Sequence, residues 1–321
     1  MLSGILIDEA FKCQVKISIQ PMKTKQKIKS IPLVDALVEL IRKTSAELPD
    51  DVSRAIIVNA ENELKNTTAD YAMNIIKENI KLAKSKSQPL CQDTGTVLFY
   101  VDCPVGFDEL KFSKAIRDAV KKATKLGFLR QNSVDSLTGK NDGTNLGPGA
   151  PVIHYHQAKR SDVQVKLILK GGGCENVGAQ YSMPNTQLGA GRDLAGVRKV
   201  ILDAVLQAQG KGCGPGVLGV CIGGDRSTGY EHAKVQLLRK LDDKNKMTEL
   251  ATLESEIVTE ANTLGIGPMG FGGKTTLLGC KIGHLNRLPA SYFVSVSHMC
   301  WAYRRHGCVM DAKGKIKKWL Y

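Results

Sequence analysis

Three cysteines stand in short loops whose neighbours are suited to chemistry. Cys91 lies in Pro89-Leu90-Cys91-Gln92-Asp93-Thr94-Gly95, Cys213 in Gly212-Cys213-Gly214-Pro215-Gly216, and Cys300 in His298-Met299-Cys300-Trp301. The first two are predicted to separate a helix from a strand, and the third to follow a strand. Loops at strand ends are where α/β proteins gather functional groups. No CxxC pair occurs, so a self-contained zinc knuckle is excluded and any metal site must be assembled from distant loops. From spacing alone, unrelated buried thiols remain the simpler reading. Of the other cysteines, Cys174 and Cys221 sit beside glycine-rich turns and could lie near such a site, whereas Cys13, Cys103, Cys280 and Cys308 read as structural.

The elements that must position these loops follow from periodicity. Between Ile31 and about Ser85 three helical patterns occur, with Leu33, Leu37, Leu40 and Ile41 giving one apolar stripe and Tyr71, Ile75, Ile76 and Ile80 another. Leu98–Val101 reads as a strand, and residues 108–126 as a basic amphipathic helix stopped at Gly127. Val152–Tyr155 and Val163–Leu169 read as strands, the latter running into Gly171-Gly172-Gly173. A helix with Leu194, Val197, Ile201 and Ala204 on one face follows, then a buried strand at Val217–Ile222. Two helices fill about 229–264, and strands near 276–283 and 292–297 lead to Cys300. Helices first, then strands alternating with helices, predict a mixed α/β domain with an N-terminal helical portion. The organisation expected is a peripheral segment over residues 1–30 and one domain over 31–321.

Composition bounds the function. The 321 residues are 42% hydrophobic and 24% charged, and no run of 18 apolar residues exists to span a membrane. The N-terminus lacks the features of a secretory signal, so the nine cysteines point to a reducing compartment, with the cytoplasm expected, rather than to a disulfide framework. The formal charge of +14 is concentrated in runs such as Lys23–Lys29, Lys81–Lys86, Lys121–Lys125 and Lys313–Lys318. These read as solvated faces and tails, or as attraction for an anionic substrate or acidic partner.

Six segments occur in order: PLCQDTG, NDGTNLGPGAPVIHY, KGGGCEN, GCGPGVLGVCIGG, LGIGPMGFGGKTTLLG and MCWAYRR. Together, over roughly residues 31–311, they resemble the alpha region of class I iron–sulfur fumarases and the related tartrate dehydratases. The resemblance implies that Cys91, Cys213 and Cys300 hold a [4Fe-4S] cluster with one iron left free of protein ligands. Thiolates suit such clusters, and an open coordination position makes an iron a Lewis acid. It further implies that Gln92 and Asp93 contact the substrate, Asp93 in an acid–base role, although an Asp in QDTG could simply cap a turn. Arg130 matches an arginine that clamps a substrate carboxylate, with a surface ion pair as the alternative. Gly171, Gly172 and Gly173 match a triglycine whose N–H groups hold the second carboxylate, and Asn145 is a further substrate-binding candidate.

Two departures stand out. The family's usual histidine twelve residues before the third cysteine is Leu288 here, with His284 nearby, which leaves the second acid–base group open. The C-terminal beta region of full-length members is also missing, so the implied partner is a separate beta subunit, in an α2β2 assembly acting on a dicarboxylate. Reversible hydration of fumarate to malate is the implied reaction, with tartrate dehydration or a catalytically silent scaffold as alternatives. A phosphate loop at Gly267–Thr275 fails on spacing, because Pro268 stands where its first glycine belongs. Nucleic-acid binding rests on charge alone, without a recognised module.

Overall fold

The computed structural model describes residues 32–321; the expected N-terminal segment, Cys13 and the Lys23–Lys29 run lie outside the described residues. The chain opens with α1 (Pro32–Ala46), α2 (Asp50–Asn62) and α3 (Thr68–Lys86). Proline at the first helical position suits α1, and the Thr67 hydroxyl caps α3 by accepting from Asp70 N–H. Strand β1 (Thr96–Pro104) and α4 (Glu109–Lys125) follow, then β2 (Val152–Ala158) and β3 (Val163–Lys170). The short helix α5 (Gly172–Asn176), β4 (Ala179–Ser182), α6 (Leu194–Ala208) and β5 (Gly216–Ile222) lead into α7 (Arg226–Gln236) and α8 (Thr248–Thr263). The chain then runs through β6 (Leu277–His284), β7 (Phe293–Met299), β8 (Arg305–Met310) and β9 (Ile316–Trp319).

Two mixed sheets result, ordered β2-β1-β3-β8-β9 and β4-β7-β5-β6. Helices α1 and α4 pack on the first through Leu37, Ile41, Ile116 and Val120, and α6 and α8 on the second through Val197, Ile201, Leu253 and Ile257. Helices α2 and α3 cover the junction between the sheets, where Val52, Ile56, Met73 and Ile76 pack with Val217 and Met299. The mixed α/β architecture with an N-terminal helical portion is therefore the one the periodicity predicts.

Register decides what comes together. Thr96 pairs with Lys170 and Ile168 with Arg305, so the start of β1, the end of β3 and the start of β8 share one end of the first sheet. Val217 pairs antiparallel with Met299, so the start of β5 and the end of β7 share one end of the second. The five residues joining β7 to β8 link those two ends, and the three cysteine loops all emerge there.

One predicted helix face needs correction. Tyr71 and Ile75 are 69% and 51% exposed, because α3 buries Ala69, Ala72 and Ala83 with Met73 and Ile76 instead. Small residues let α3 approach the chain closely: a Cβ on Gly273 would lie 2.7 Å from the Ala69 Cβ. Leu194 likewise stands at the exposed start of α6. The basic runs at Lys81–Lys86, Lys121–Lys125 and Lys313–Lys318 lie mostly at the surface, as expected of solvated faces. No helix among the described residues is long and apolar enough to cross a membrane.

A buried imidazole ties stability to pH. His306 packs under α1 with Nε2 at 3.1 Å from the Glu47 carbonyl, and Nδ1 has no partner. Burial, reinforced by Lys43 and Arg305, lowers its pKa to about 4. The unfolded chain therefore takes up a proton that the folded chain refuses as pH falls from about 6.5 to about 4. Stability contributed by neutral His306 is present above that window and lost within it, on the order of 3 kcal/mol in total. His306→Gln should flatten the pH dependence of the unfolding free energy over this range, and parallel profiles for variant and parent would contradict the assignment.

Candidate functional site

Cys91 lies between α3 and β1, Cys213 just before β5 and Cys300 just after β7. Cys91 and Cys213 are partly exposed and Cys300 is buried, and all three belong to one packed cluster. Backbone bonds hold the loops: the Trp301 N–H donates to the Cys213 carbonyl at 3.2 Å, and Asn79 of α3 donates to the Leu90 carbonyl at 3.0 Å. A Cβ on Gly212 or Gly216 would fall 2.5 or 2.6 Å from the His298 ring, so that buried imidazole fills the space beneath the Cys213 loop. Only glycine fits at those two positions.

The structure adds a fourth thiol. Cys174, on α5, is buried in the same cluster, whereas Cys221 lies at the far end of β5 beside Gly283. Hydrogen bonding from Cys300, followed by His298, lowers the Cys174 pKa to about 4. The hydrogen bond with Cys174, together with burial, pushes Cys300 up, so the two sulfurs share one proton. Burial raises Cys213 too, with the negative charges of Cys174, Cys91 and Asp93 adding to it. In contrast, Cys280 and Cys308 are raised by burial within their own sheets, away from this point.

Asp93 is tightly held. Its Oδ1 accepts from Gly95 N–H at 2.8 Å and Asn132 Nδ2 at 3.0 Å, and its Oδ2 accepts from Gly172 N–H at 2.7 Å. A Cβ on Gly171 would lie 2.9 Å from Oδ2, so the carboxylate needs glycine there to reach the turn. Of the three glycines, Gly172 and Gly173 are exposed and Gly171 is buried. Asp93, Asn132, Ser133, Asn145 and Gly172 line a cleft of about 450 Å³. Gln92 is exposed beside Cys91, with Oε1 at 4.0 Å from its sulfur.

Arg130 is fixed through its backbone: its N–H donates to the Thr94 hydroxyl, which donates back to the Arg130 carbonyl, both at 2.8 Å. Its exposed guanidinium has no carboxylate partner among the described residues, so the surface ion pair does not occur. Asn145 is buried at φ 59° with its amide fully used. Oδ1 accepts from the N–H groups of Asn132 and Ser133, and Nδ2 donates to the Thr124 hydroxyl and the Arg130 carbonyl. It clamps the 130–133 segment and has no donor left for a ligand. Leu288 is 72% exposed, and both it and His284 lie at the opposite end of the second sheet. With β7 between Leu288 and Cys300, the separation is about 20 Å at ~3.3 Å per residue.

Sequence reasoning named Cys174 as a possible neighbour of the site but missed Asn132, His298 and Arg304, although Arg304 lies within a quoted motif and the other two stand two residues from Arg130 and Cys300. The glycine-rich loop before β6 is structural, because the N–H groups of Lys274 and Thr275 both donate to Glu63.

The donor set suits a soft multi-atom group. No three His, Cys, Asp or Glu side chains among the described residues are placed to hold a single metal ion, yet the thiols feel each other's charge. A cluster of several irons spaces its thiolates more widely than one ion does, and thiolates are the ligands such clusters take.

Comparison with known proteins agrees on the family. The fumarate hydratase (Fumerase) family model matches residues 34–309. A Geobacillus stearothermophilus protein assigned as a class I fumarate hydratase is 53% identical over 293 residues, covering 90% of this chain and 57% of that relative. This chain thus spans little more than half the length of that relative. A Methanocaldococcus jannaschii protein assigned as an L(+)-tartrate dehydratase alpha subunit is 34% identical over 84% of this chain and 95% of its own length. The L(+)-tartrate dehydratase alpha subunit of Escherichia coli K12 is 28% identical over 87% and 91% respectively.

The Asn145 clamp is open to test. Asn145→Gly keeps the backbone conformation but removes the four amide bonds. Amide exchange at Asn132 and Ser133 should accelerate about 10–100-fold, the equivalent of roughly 1–3 kcal/mol of local stability. Unchanged exchange there would show that other contacts hold the segment.

Proposed function

The chain belongs to the fumarate hydratase family, and from that premise we propose that it is the alpha subunit of an iron–sulfur hydro-lyase interconverting fumarate and malate. The observation that carries this reading is the convergence of Cys91, Cys213 and Cys300, from three separate loops, beside the Asp93 carboxylate. These three thiols would hold a [4Fe-4S] cluster. When bound, the cluster would supply an iron with an open coordination position, a Lewis acid that weakens the carbon–hydroxyl bond.

The chain's own residues divide the remaining work. The free guanidinium of Arg130 offers two parallel donors to one substrate carboxylate. The exposed backbone at Gly172 and Gly173 faces the other carboxylate. Asp93, with Gln92 beside it, exchanges a proton with the hydroxyl or water at Oδ2, after that oxygen releases Gly172 N–H. Asn145 acts through the segment it clamps rather than by contact. Neither Leu288 nor His284 of the same chain reaches this point, so the second acid–base group comes from elsewhere.

A beta subunit is the proposed source of that group and of further substrate contacts, in an α2β2 assembly. The alpha-subunit names of the tartrate dehydratase relatives support this. Fumarate is preferred over tartrate because the relative assigned as a fumarate hydratase is 53% identical, against 34% and 28% for the two tartrate dehydratase relatives. The free thiols of all eight described cysteines accord with a reducing, cytoplasmic setting.

Anaerobic reconstitution with iron and sulfide should yield about four irons per chain and a visible spectrum that responds to fumarate. Failure to bind iron would remove the mechanism. Cys213→Ser should lose most of the iron and, with the beta subunit present, most of the turnover, whereas Cys280→Ser should keep both. Equal losses from the two variants would break the ligand assignment.

A further inference from the structure

Two adjacent arginines follow the Cys300 loop, and their surroundings differ. Arg305 is fully buried and pairs with Asp51 at 2.6 Å. Its guanidinium also donates to the Arg239 carbonyl and stacks over the Tyr303 and Tyr321 rings. Arg304 is buried to 1% exposure, yet no carboxylate pairs with it among the described residues. Nη1 donates to the Asp93 main-chain carbonyl at 2.7 Å, and Nε has no partner. Its Nη2 lies 3.8 Å from where a Cβ would stand on Gly171.

Taking a guanidinium out of water costs several kcal/mol, and a single carbonyl does not offset that. Asp93 makes no direct ion pair with Arg304, and both its oxygens are directed to Gly95, Asn132 and Gly172. Cys300 opens the same five-residue loop that Arg304 closes, and its sulfur lies within electrostatic reach of the guanidinium. The fold has left a buried cation whose partner no described side chain supplies.

We propose that Arg304 is the buried counter-ion of the cluster-bearing cysteines, giving its charge and its spare N–H donors to the sulfurs of the bound cluster. This rests on the iron–sulfur reading above. Arg304 is thus a positioning residue with two attachments, the cluster on one side and the Asp93 backbone on the other. Hydrogen bonds and charge near cluster sulfurs set reduction potential and retention.

The test compares apo and anaerobically loaded protein for the parent, Arg304→Met, Arg304→Gln and Arg304→Lys. Thermal unfolding, iron loss to a chelator and the cluster reduction potential are read for each. Loading should raise the Tm of the parent by more than that of Arg304→Met. Iron should leave Arg304→Met about 10–100-fold faster. The reduction potential should fall in Arg304→Met, because a nearby positive charge favours the more negative reduced cluster. Arg304→Lys should retain most of the increment. Without the cluster, Arg304→Met should melt no lower than the parent, since it removes an unpaired buried charge. If Arg304→Met does not fold, Arg304→Gln supplies the same uncharged comparison while keeping a donor for the Asp93 carbonyl.

Equal increments, equal iron retention and equal potentials in the parent and the uncharged variants would overturn the proposal. So would weakened fumarate binding with those three readings unchanged, because the guanidinium would then serve a substrate carboxylate. A parent that takes up no iron overturns the iron–sulfur reading along with it, a failure visible before any variant is compared.

Discussion

The ammonium of Lys170 is fully buried where β3 ends, and the rest of the site depends on how its charge is satisfied. It donates to the His298 carbonyl at 2.8 Å and pairs with Glu175 at 3.1 Å. Burial lowers its pKa, and Glu175 opposes that loss. Burial alone would raise Glu175, yet Lys170 and Lys234 hold it below the usual carboxylate range. A cation in the interior is tolerated only with partners of this kind. Those partners exist only if the end of β3 in one sheet meets the end of β7 in the other. That meeting presents Gly171 and Gly172 to Asp93 and sets Cys300 two residues beyond the bonded carbonyl.

Around that anchor the ligand-free site is electrostatically unfinished. Beyond burial, Cys174, Cys91 and Asp93 oppose ionisation of Cys213, and Cys174 and Cys91 that of Cys300, while Arg304 carries an unmatched charge a few residues away. The His298 imidazole, packed beneath the Cys213 loop, has an orphaned Nδ1. Buried polar groups normally find partners, and beside the cysteine loops Arg304 Nε and His298 Nδ1 do not. By contrast, Arg239 and Lys281 meet Glu254 and Asp243 in a network completed within the fold. The same chemistry of burial is thus closed in one region and left open in the other.

Of the nine strands among the described residues, six were legible in the sequence, as were the cysteine loops, because they rest on local signals: runs of β-branched residues, glycine stops and short motifs. Strands β4, β8 and β9 were not foreseen. What sequence could not supply was register. Leu288 stands twelve residues before Cys300, where the family's usual histidine falls, but the length of β7 sets it at the far end of the sheet. Asn145 was a substrate-binding candidate through the family resemblance, and its role as a clamp is visible only from its four partners in the fold. The buried face of α3 was misjudged because the packing there selects alanines for close approach, leaving Tyr71 and Ile75 outside. Cys174 and Arg304 lie within recognised motifs and Asn132 two residues from Arg130, yet their roles exist only where loops distant in sequence meet.

The Asp93–Gly172 hydrogen bond links binding to chemistry. As the chain stands, Oδ2 uses the turn's exposed Gly172 N–H, and Oδ1 already has two donors. A substrate carboxylate arriving at the turn competes for that N–H. If it wins, Oδ2 is released to face the proton that Asp93 is proposed to exchange. Gly95 and Asn132 keep hold of Oδ1, and the Arg304 bond keeps the backbone in place, so the carboxylate is freed on one side without leaving the site. One shared N–H therefore couples the arrival of substrate to the release of the group proposed to act on it.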